Sequence, residues 1–212
     1  MPETAWRVPH RIETDRLTLR RYRADDAEQM SRVILASKDH LATFMPWARA
    51  EPLSPVDRAE LLDRFVADYD EGRDFAMGIF TRDTDTYVGG TGFHARLGPG
   101  ALEIGYWISS DNQGKGYISE AVLALTQVAL VLVGAERVEI HHVPENIASR
   151  AVPRRCGYSY DGRELTLMPG VEGVEPTDIW SATTENLSRE PLASAPLPRA
   201  FDAADREMPW PA

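Results

Sequence analysis

The residues whose types and spacing most plainly offer chemistry are Gln113, Gly114, Lys115 and Gly116. They stand just before an apolar run, residues 118–133, which at about 1.5 Å per residue makes a helix roughly 24 Å long. Glycines at a helix start let the backbone turn tightly and leave its N–H groups uncovered. Those groups and the helix dipole form an anion site that suits a phosphate. The residues before the loop alternate. Leu102, Ile104, Tyr106 and Ile108 fall on one face, and Glu103, Gly105, Trp107 and Ser109 on the other, the period of a strand. The stretch therefore reads as strand, phosphate-ready loop and helix in one unit.

Two familiar glycine loops fail here on residue identity. A P-loop needs Ser or Thr after its lysine and a glycine six residues before it, but Gly116 follows Lys115 and Ser109 stands at the upstream place. A dinucleotide fingerprint needs a third glycine where Ser119 stands. On these residues alone, the loop is either an anion site or a flexible helix start that binds nothing. No metal is expected, because His94, His141 and His142 form no recognisable cluster with the single cysteine, Cys156. Cys156 itself reads as a small buried residue rather than a nucleophile.

The elements that must position the loop follow in order. Residues 16–21 alternate as a first strand, and Asp25 and Asp26 suit the start of a helix reaching about residue 35. Residues 37–50 are irregular and carry Phe44 and Trp47. Ser54, Pro55 and Asp57 form a strong helix start, and Leu61, Leu62, Phe65, Val66 and Tyr69 recur at helical spacing. Strands are expected over 75–81, 87–96 and 102–109, joined by short turns and hence antiparallel. After the long helix come a fifth strand at 137–143, a short helix at 146–155 and further strands at 158–168 and 178–184. Residues 1–11 read as an arm, 12–185 as one domain, and the Pro-, Ala- and Ser-rich 186–212 as a tail, extended or disordered.

Composition bounds the function. The chain has 212 residues, enough for one large domain, and no repeat or second domain is evident. Its net charge of −10 argues against broad nucleic-acid binding and is compatible with a cationic partner such as an amine. The first residues carry no apolar signal segment, and the longest apolar run is too short to span a bilayer. A cytoplasmic protein with no membrane partner is expected.

The loop and its surroundings resemble motif A of the GNAT-type N-acetyltransferases: Gln or Arg, two residues, Gly, one residue, Gly or Ala. Gln113 and Gly116 match, and Ile118 departs from the last place. Gly114 and the Ser119-Glu120-Ala121 run resemble the RimJ/RimL branch, the ribosomal-protein N-terminal acetyltransferases and their relatives. A second match lies downstream, Asn146 and Ser149 on a helix that ends at Gly157-Tyr158. Residues 16–20 and Met45-Pro46-Trp47 are similar to that branch's N-terminal segments. The resemblance covers about residues 12–184. It implies an α/β (α+β) fold: one mixed sheet of about six to seven strands, about four helices, and a V-shaped splay between the fourth and fifth strands.

The resemblance also implies a reaction: acyl transfer from acetyl-CoA to a primary amine by direct attack, without an acyl-enzyme. The amine is a protein N-terminus or a small molecule. Gln113, Gly114, Lys115, Gly116, Tyr117 and Ile118 would hold the donor's pyrophosphate. Backbone at Trp107, Ile108 and Ser109 would pair with the pantetheine arm, an N–H near Ile108 serving the thioester oxygen. Ser149 would serve the departing sulfur, and Asn146 would bond the pantetheine or cap its helix. Glu103 would act as base, or only attract a cationic amine. Phe44, Trp47, Glu103 and Tyr158 would line the acceptor cavity, unless the aromatics simply pack. His141 and His142 face opposite ways, so at most one reaches the site. Two other readings stay open: a succinyl or other acyl donor, and a non-catalytic acyl-CoA-binding module. Family members are often dimers, so a homodimer is possible.

Overall fold

Nine strands and five α-helices make up the described residues, which are 6–167 and 173–211 of this computed structural model. Residues 1–5 of the expected arm, Met168 at an expected strand end, and Ala212 at the end of the tail lie outside them. The strands are β1 (Arg11–Glu13), β2 (Leu17–Arg21), β3 (Asp74–Thr81), β4 (Tyr87–His94), β5 (Ala101–Ile108), β6 (Arg137–His142), β7 (Ser159–Leu167), β8 (Val174–Ala182) and β9 (Arg199–Phe201). The helices are α1 (Ala27–Ala36), α2 (Lys38–Ala42), α3 (Pro55–Asp70), α4 (Tyr117–Gln127) and α5 (Ile147–Arg155).

All nine strands join one mixed sheet in the order β7-β8-β6-β5-β4-β3-β2-β1-β9. The sheet exceeds the expected six to seven strands, and the seven placed along the sequence lack two of the nine. Both missing strands, β1 and β9, have three residues, too few for an alternation to show. Pairing makes them: β1 pairs with β2 in a short hairpin on one side and with the distant β9 on the other. The segment 186–212, expected as an extended or disordered tail, therefore supplies an edge strand. The expected irregular stretch 37–50 contains α2, a fifth helix where about four were expected.

Local chemistry explains the helix limits. At α3, the Ser54 hydroxyl accepts from the Asp57 N–H and Pro55 takes the first helical position, where no N–H is needed. At α5, Asn146 Oδ1 accepts from the Ser149 N–H at 3.0 Å. The apolar run of α4 continues in wider turns through Val133 and stops at Gly134, whose φ of 80° ends the helix.

The alternation of β5 divides the core into two layers. Leu102 and Ile104 are buried against Ala121, Val122, Leu125 and Val128 of the α4 layer. Trp107 packs on the other side with Tyr22, Tyr87 and the α1–α3 layer. No helix of the described residues is long and apolar enough to cross a membrane.

Candidate active site

β5 and β6 are parallel neighbours for only three pairs, ending at Glu103 opposite Glu139. Beyond that pair β5 runs on to Ile108 without β6, so the sheet splays between what were expected as the fourth and fifth strands. The Ser109 N–H bonds Val88 O, and the Gly105 carbonyl accepts from Thr91 Oγ1, both on β4. Backbone groups alternate sides along a strand. Ile104, Tyr106 and Ile108 accordingly aim their N–H and C=O groups into the open splay.

The α5 side of the splay holds Ser149. Pro153 lies inside α5 and has no N–H for the carbonyl four residues back, which belongs to Ser149. The Tyr106 hydroxyl supplies that missing donor, at 3.0 Å from Ser149 O. Its oxygen also lies 3.1 Å from Ser149 Oγ. A phenol has one proton, so with that proton on the carbonyl, the Ser149 hydroxyl donates to Tyr106. Burial raises the Tyr106 pKa far above that of a free phenol, which keeps this donor protonated. Tyr106 is a site neighbour that sequence reasoning placed only as an apolar strand residue.

The loop before α4 turns tightly at its two glycines. Gly114 and Gly116 have φ of 72° and 79°, the left-handed region open to glycine. No side chain caps the first turn of α4. Lys115 Nζ donates to Asn112 Oδ1 at 2.8 Å, so its charge is tethered beside the loop. Arg16 adds a second cation that the sequence reading overlooked. It donates to Lys115 O at 3.0 Å, pairs with Glu120 and lies over the Tyr117 ring. The Gln113 amide meets His40 Nε2, and the Ser110 N–H donates to Ser37 Oγ at 3.1 Å. These contacts bring the α1–α2 corner against the loop, with a surface cavity of about 460 Å³ between them. That cavity flanks the loop and not Ser149. Ile118 is half-buried and packs on the α4-side core.

The opposite face of β5 carries the acceptor candidates. Glu103 is buried, and both its oxygens are held by Arg96, with Nε to Oε2 at 2.7 Å. His141 Nδ1 lies 3.9 Å from Glu103, while its Nε2 lies 2.6 Å from Glu139. Arg137 bonds the other Glu139 oxygen at 2.6 Å. The hydrogen bond from His141, more than Arg137, draws the Glu139 carboxyl below its ordinary range. Beside this network His94 Nδ1 meets Asp74 Oδ1 at 2.6 Å. Trp47 and Trp107 approach at 5.7 Å between ring centres, with Trp47 41% exposed, and Phe44 is half-buried nearby in sequence.

Tyr158 must be withdrawn from the cavity wall. It is buried in the α4-side core, its hydroxyl bonded to Thr126 Oγ1 at 2.6 Å. His142, on the opposite face of β6 from His141, is buried and accepts from Trp180 Nε1 at 3.1 Å. Burial pushes the Cys156 thiol up to about 12, which removes the thiolate a nucleophile needs. Among the described residues no group of three or more His, Cys, Asp or Glu is placed to hold a metal ion.

Comparison with known proteins agrees with this geometry. Residues 16–159 match the family described as the acetyltransferase (GNAT) domain. The chain is 29% identical over 153 residues to "Uncharacterized N-acetyltransferase YoaA" of Bacillus subtilis (strain 168), covering 71% of this chain and 84% of that one. It is 28% identical to "Uncharacterized N-acetyltransferase p20" of Bacillus licheniformis, covering 71% and 83%. Its fold is that of the microcin C7 self-immunity acetyltransferase MccE in complex with acetyl-CoA and AMP (TM-score 0.72, 22% identity, 80% of this chain and 93% of that one). It is equally that of RimL, a ribosomal L7/L12 alpha-N-protein acetyltransferase in complex with coenzyme A (TM-score 0.71, 21% identity, 82% and 97%). The splayed strands, the glycine loop and a family match over most of the sheet lead to one conclusion: this chain belongs to the GNAT acetyltransferase family.

Proposed function

We propose that the protein transfers an acetyl group from acetyl-CoA to a primary amine by direct attack. The observation that carries this reading is the unpaired side of β5, which leads straight into the uncapped turn at Gly114 and Gly116. An amide-bearing arm pairs with the free groups of Ile104, Tyr106 and Ile108 as an added strand would. Its pyrophosphate then falls on the N–H groups from Gln113 to Ile118, with Lys115 and Arg16 adding charge. Backbone at Trp107 and Ser109 faces β4, so of these three Ile108 is the one that pairs with the arm, and the Tyr106 N–H, beside Ser149, serves the thioester oxygen. The donor fits this chain's residues, and the relatives that hold acetyl-CoA or coenzyme A support the choice.

Transfer breaks the C–S bond and leaves electrons on sulfur. Ser149 stands on the α5 side of the splay with a proton held toward Tyr106, and turning it toward sulfur supplies a hydrogen bond to the thiolate. Asn146 uses its oxygen as the α5 cap, which leaves its NH₂ for the pantetheine arm. Glu103 and the acidic surface attract a cationic amine, and Trp47, Trp107 and Phe44 wall its approach. RimL is described as an alpha-N-protein acetyltransferase, so a protein N-terminus heads the acceptor candidates.

The test is thiol release from acetyl-CoA across a panel of N-terminal peptides and small amines. Ser149→Ala is expected to lower kcat by about tenfold or more while coenzyme A still binds. A folded wild-type protein that binds coenzyme A yet acetylates no amine would sink the reading.

A further inference from the structure

Gly105 is the only glycine of β5, and something occupies the room its missing side chain leaves. A Cβ there would come within 2.6 Å of His94 Nε2 and 3.1 Å of Cδ2. The imidazole therefore lies across β5 between Glu103 and Trp107, on the face of the acceptor candidates. The Asp74 carboxylate on β3 fixes the ring through Nδ1. An ionised carboxylate only accepts, so Nδ1 carries the proton of the neutral ring and Nε2 presents a lone pair. Among the described residues Nε2 has no hydrogen-bond partner. The side chain is 25% exposed, within reach of a bound molecule.

Glu103 is the poorer proton acceptor. Its side chain is 5% exposed and Arg96 engages both oxygens. The sides of the strand also divide the work. Tyr106, next to Gly105, points to the other face and meets Ser149. A thioester carbonyl in the splay at residues 105–106 would have Ser149 on one side and His94 Nε2 on the other. The amine adds to one face of the planar carbonyl, so a base on that face leaves the group that serves the sulfur unobstructed on the other.

We propose that His94 is a catalytic residue that takes the proton of the acceptor amine, and that Asp74 is the positioning residue that aims it. This rests on the acetyltransferase reading above. An amine arriving as ammonium first gives one proton to water. The neutral nitrogen then bonds to the acyl carbon, its N–H proton passes to Nε2, and the C–S bond breaks with its electron pair on sulfur. The imidazolium returns that proton through water to the thiolate. The sum is amine plus acetyl-CoA giving amide plus free thiol. Around His94 the charged groups are Asp74 on β3, Arg96 after β4 and Glu103 on β5.

The test uses acetyl-CoA with a short peptide bearing a free N-terminal amine and with a linear diamine. His94→Ala is expected to lower kcat about 100-fold or more, with the KM for acetyl-CoA and coenzyme A affinity near wild type. Added imidazole should restore part of the rate in this variant and in no other. Asp74→Asn should lower kcat about tenfold. Gly105→Ala keeps both residues but pushes the flexible end of His94 aside, so it should fold and lose kcat in the same way. A His94→Ala protein with wild-type kcat overturns the proposal. So does a loss that imidazole does not touch while Glu103→Gln is equally slow, which would return the base role to Glu103. If His94→Ala fails to bind coenzyme A for want of folding, Gly105→Ala decides: unchanged kcat there overturns the proposal. Failure of wild type to acetylate either amine would instead strike the acetyltransferase reading itself.

Discussion

Tyr106 is where one side chain ties two parts of the site together. Its single proton satisfies the carbonyl that Pro153 leaves free, and its oxygen orients the Ser149 hydroxyl. Tyr106→Phe removes both bonds without changing the ring's packing. Losing one such bond costs about 0.5–1.5 kcal/mol, so thermal stability should fall modestly. The larger expected effect is kinetic: kcat drops several-fold while the KM for acetyl-CoA holds, because Ser149 loses its orientation and the β5 backbone does not move. Steady-state rates at saturating amine check this, and an unchanged kcat would mean Ser149 acts without Tyr106. The sequence disclosed Ser149, Asn146 and the glycine loop because their neighbours carry recognisable spacing. It hid Tyr106, Arg16, His40 and Arg96 because their partners lie 43, 99, 73 and 7 residues away, with no local pattern to tie them. Glu103 was legible as a carboxylate facing the acceptor side, but the Arg96 clamp that holds it was not.

At the scale of an element, β6 shows how a strand can carry charge where its neighbour splays. Arg137, Glu139 and His141 fall on one face by alternation, and Glu139 bonds both of the others. This cluster sits at the last pair that β5 and β6 share. The carboxyl of Glu139 is held below its ordinary range, by the His141 hydrogen bond first. A carboxyl depressed in the folded state stabilises above its unfolded pKa, and that contribution is lost as pH falls through the folded value. The window is therefore the acid side, below about 4.5. Glu139→Gln should be less stable than wild type at pH 7, and the gap should shrink as both are brought to pH 3. Urea unfolding at the two pH values measures it, and a gap that widens in acid would contradict the assignment. Most elements were readable beforehand because their signals are local: Ser54-Pro55 for α3, alternation for β3 to β6, Gly134 for the end of α4. β1 and β9 were not, since three residues are too few to show alternation and their pairing with each other joins the two ends of the chain.

Across the whole molecule, the C-terminal segment works as a strap. It leaves β8 near one end of the sheet and reaches β1 at the other as β9. On the way it crosses the α4–α5 side. Asn186 Nδ2 donates to Gly157 O at 3.0 Å, Gln127 Nε2 donates to Ala195 O at 3.2 Å, and Leu187 and Trp210 pack on the core. Arg11 then stacks on Phe201 at 3.6 Å and bonds Asp205. Pro, Ala and Ser made this stretch read as a loose tail, because such composition withholds periodicity even where the chain is held. These contacts are with the α4–α5 side and not with Trp47, Trp107 or His94, so the effect expected of losing the strap is on stability and not on acceptor choice. Leu192 and Phe201 are both buried, and each such side chain contributes about 1.5–3 kcal/mol. Removing residues 189–212 should therefore cost roughly 3–6 kcal/mol, a large share of the 5–15 kcal/mol typical of a domain. At about 2–4 °C per kcal/mol for a chain this long, the Tm should fall by roughly 6–24 °C. Below that temperature, the acetylation rate per folded molecule should match the full chain's. A truncated protein with an unaltered Tm would mean the strap adds no net stability, and a normal Tm with altered amine preference would place the segment over the acceptor side instead.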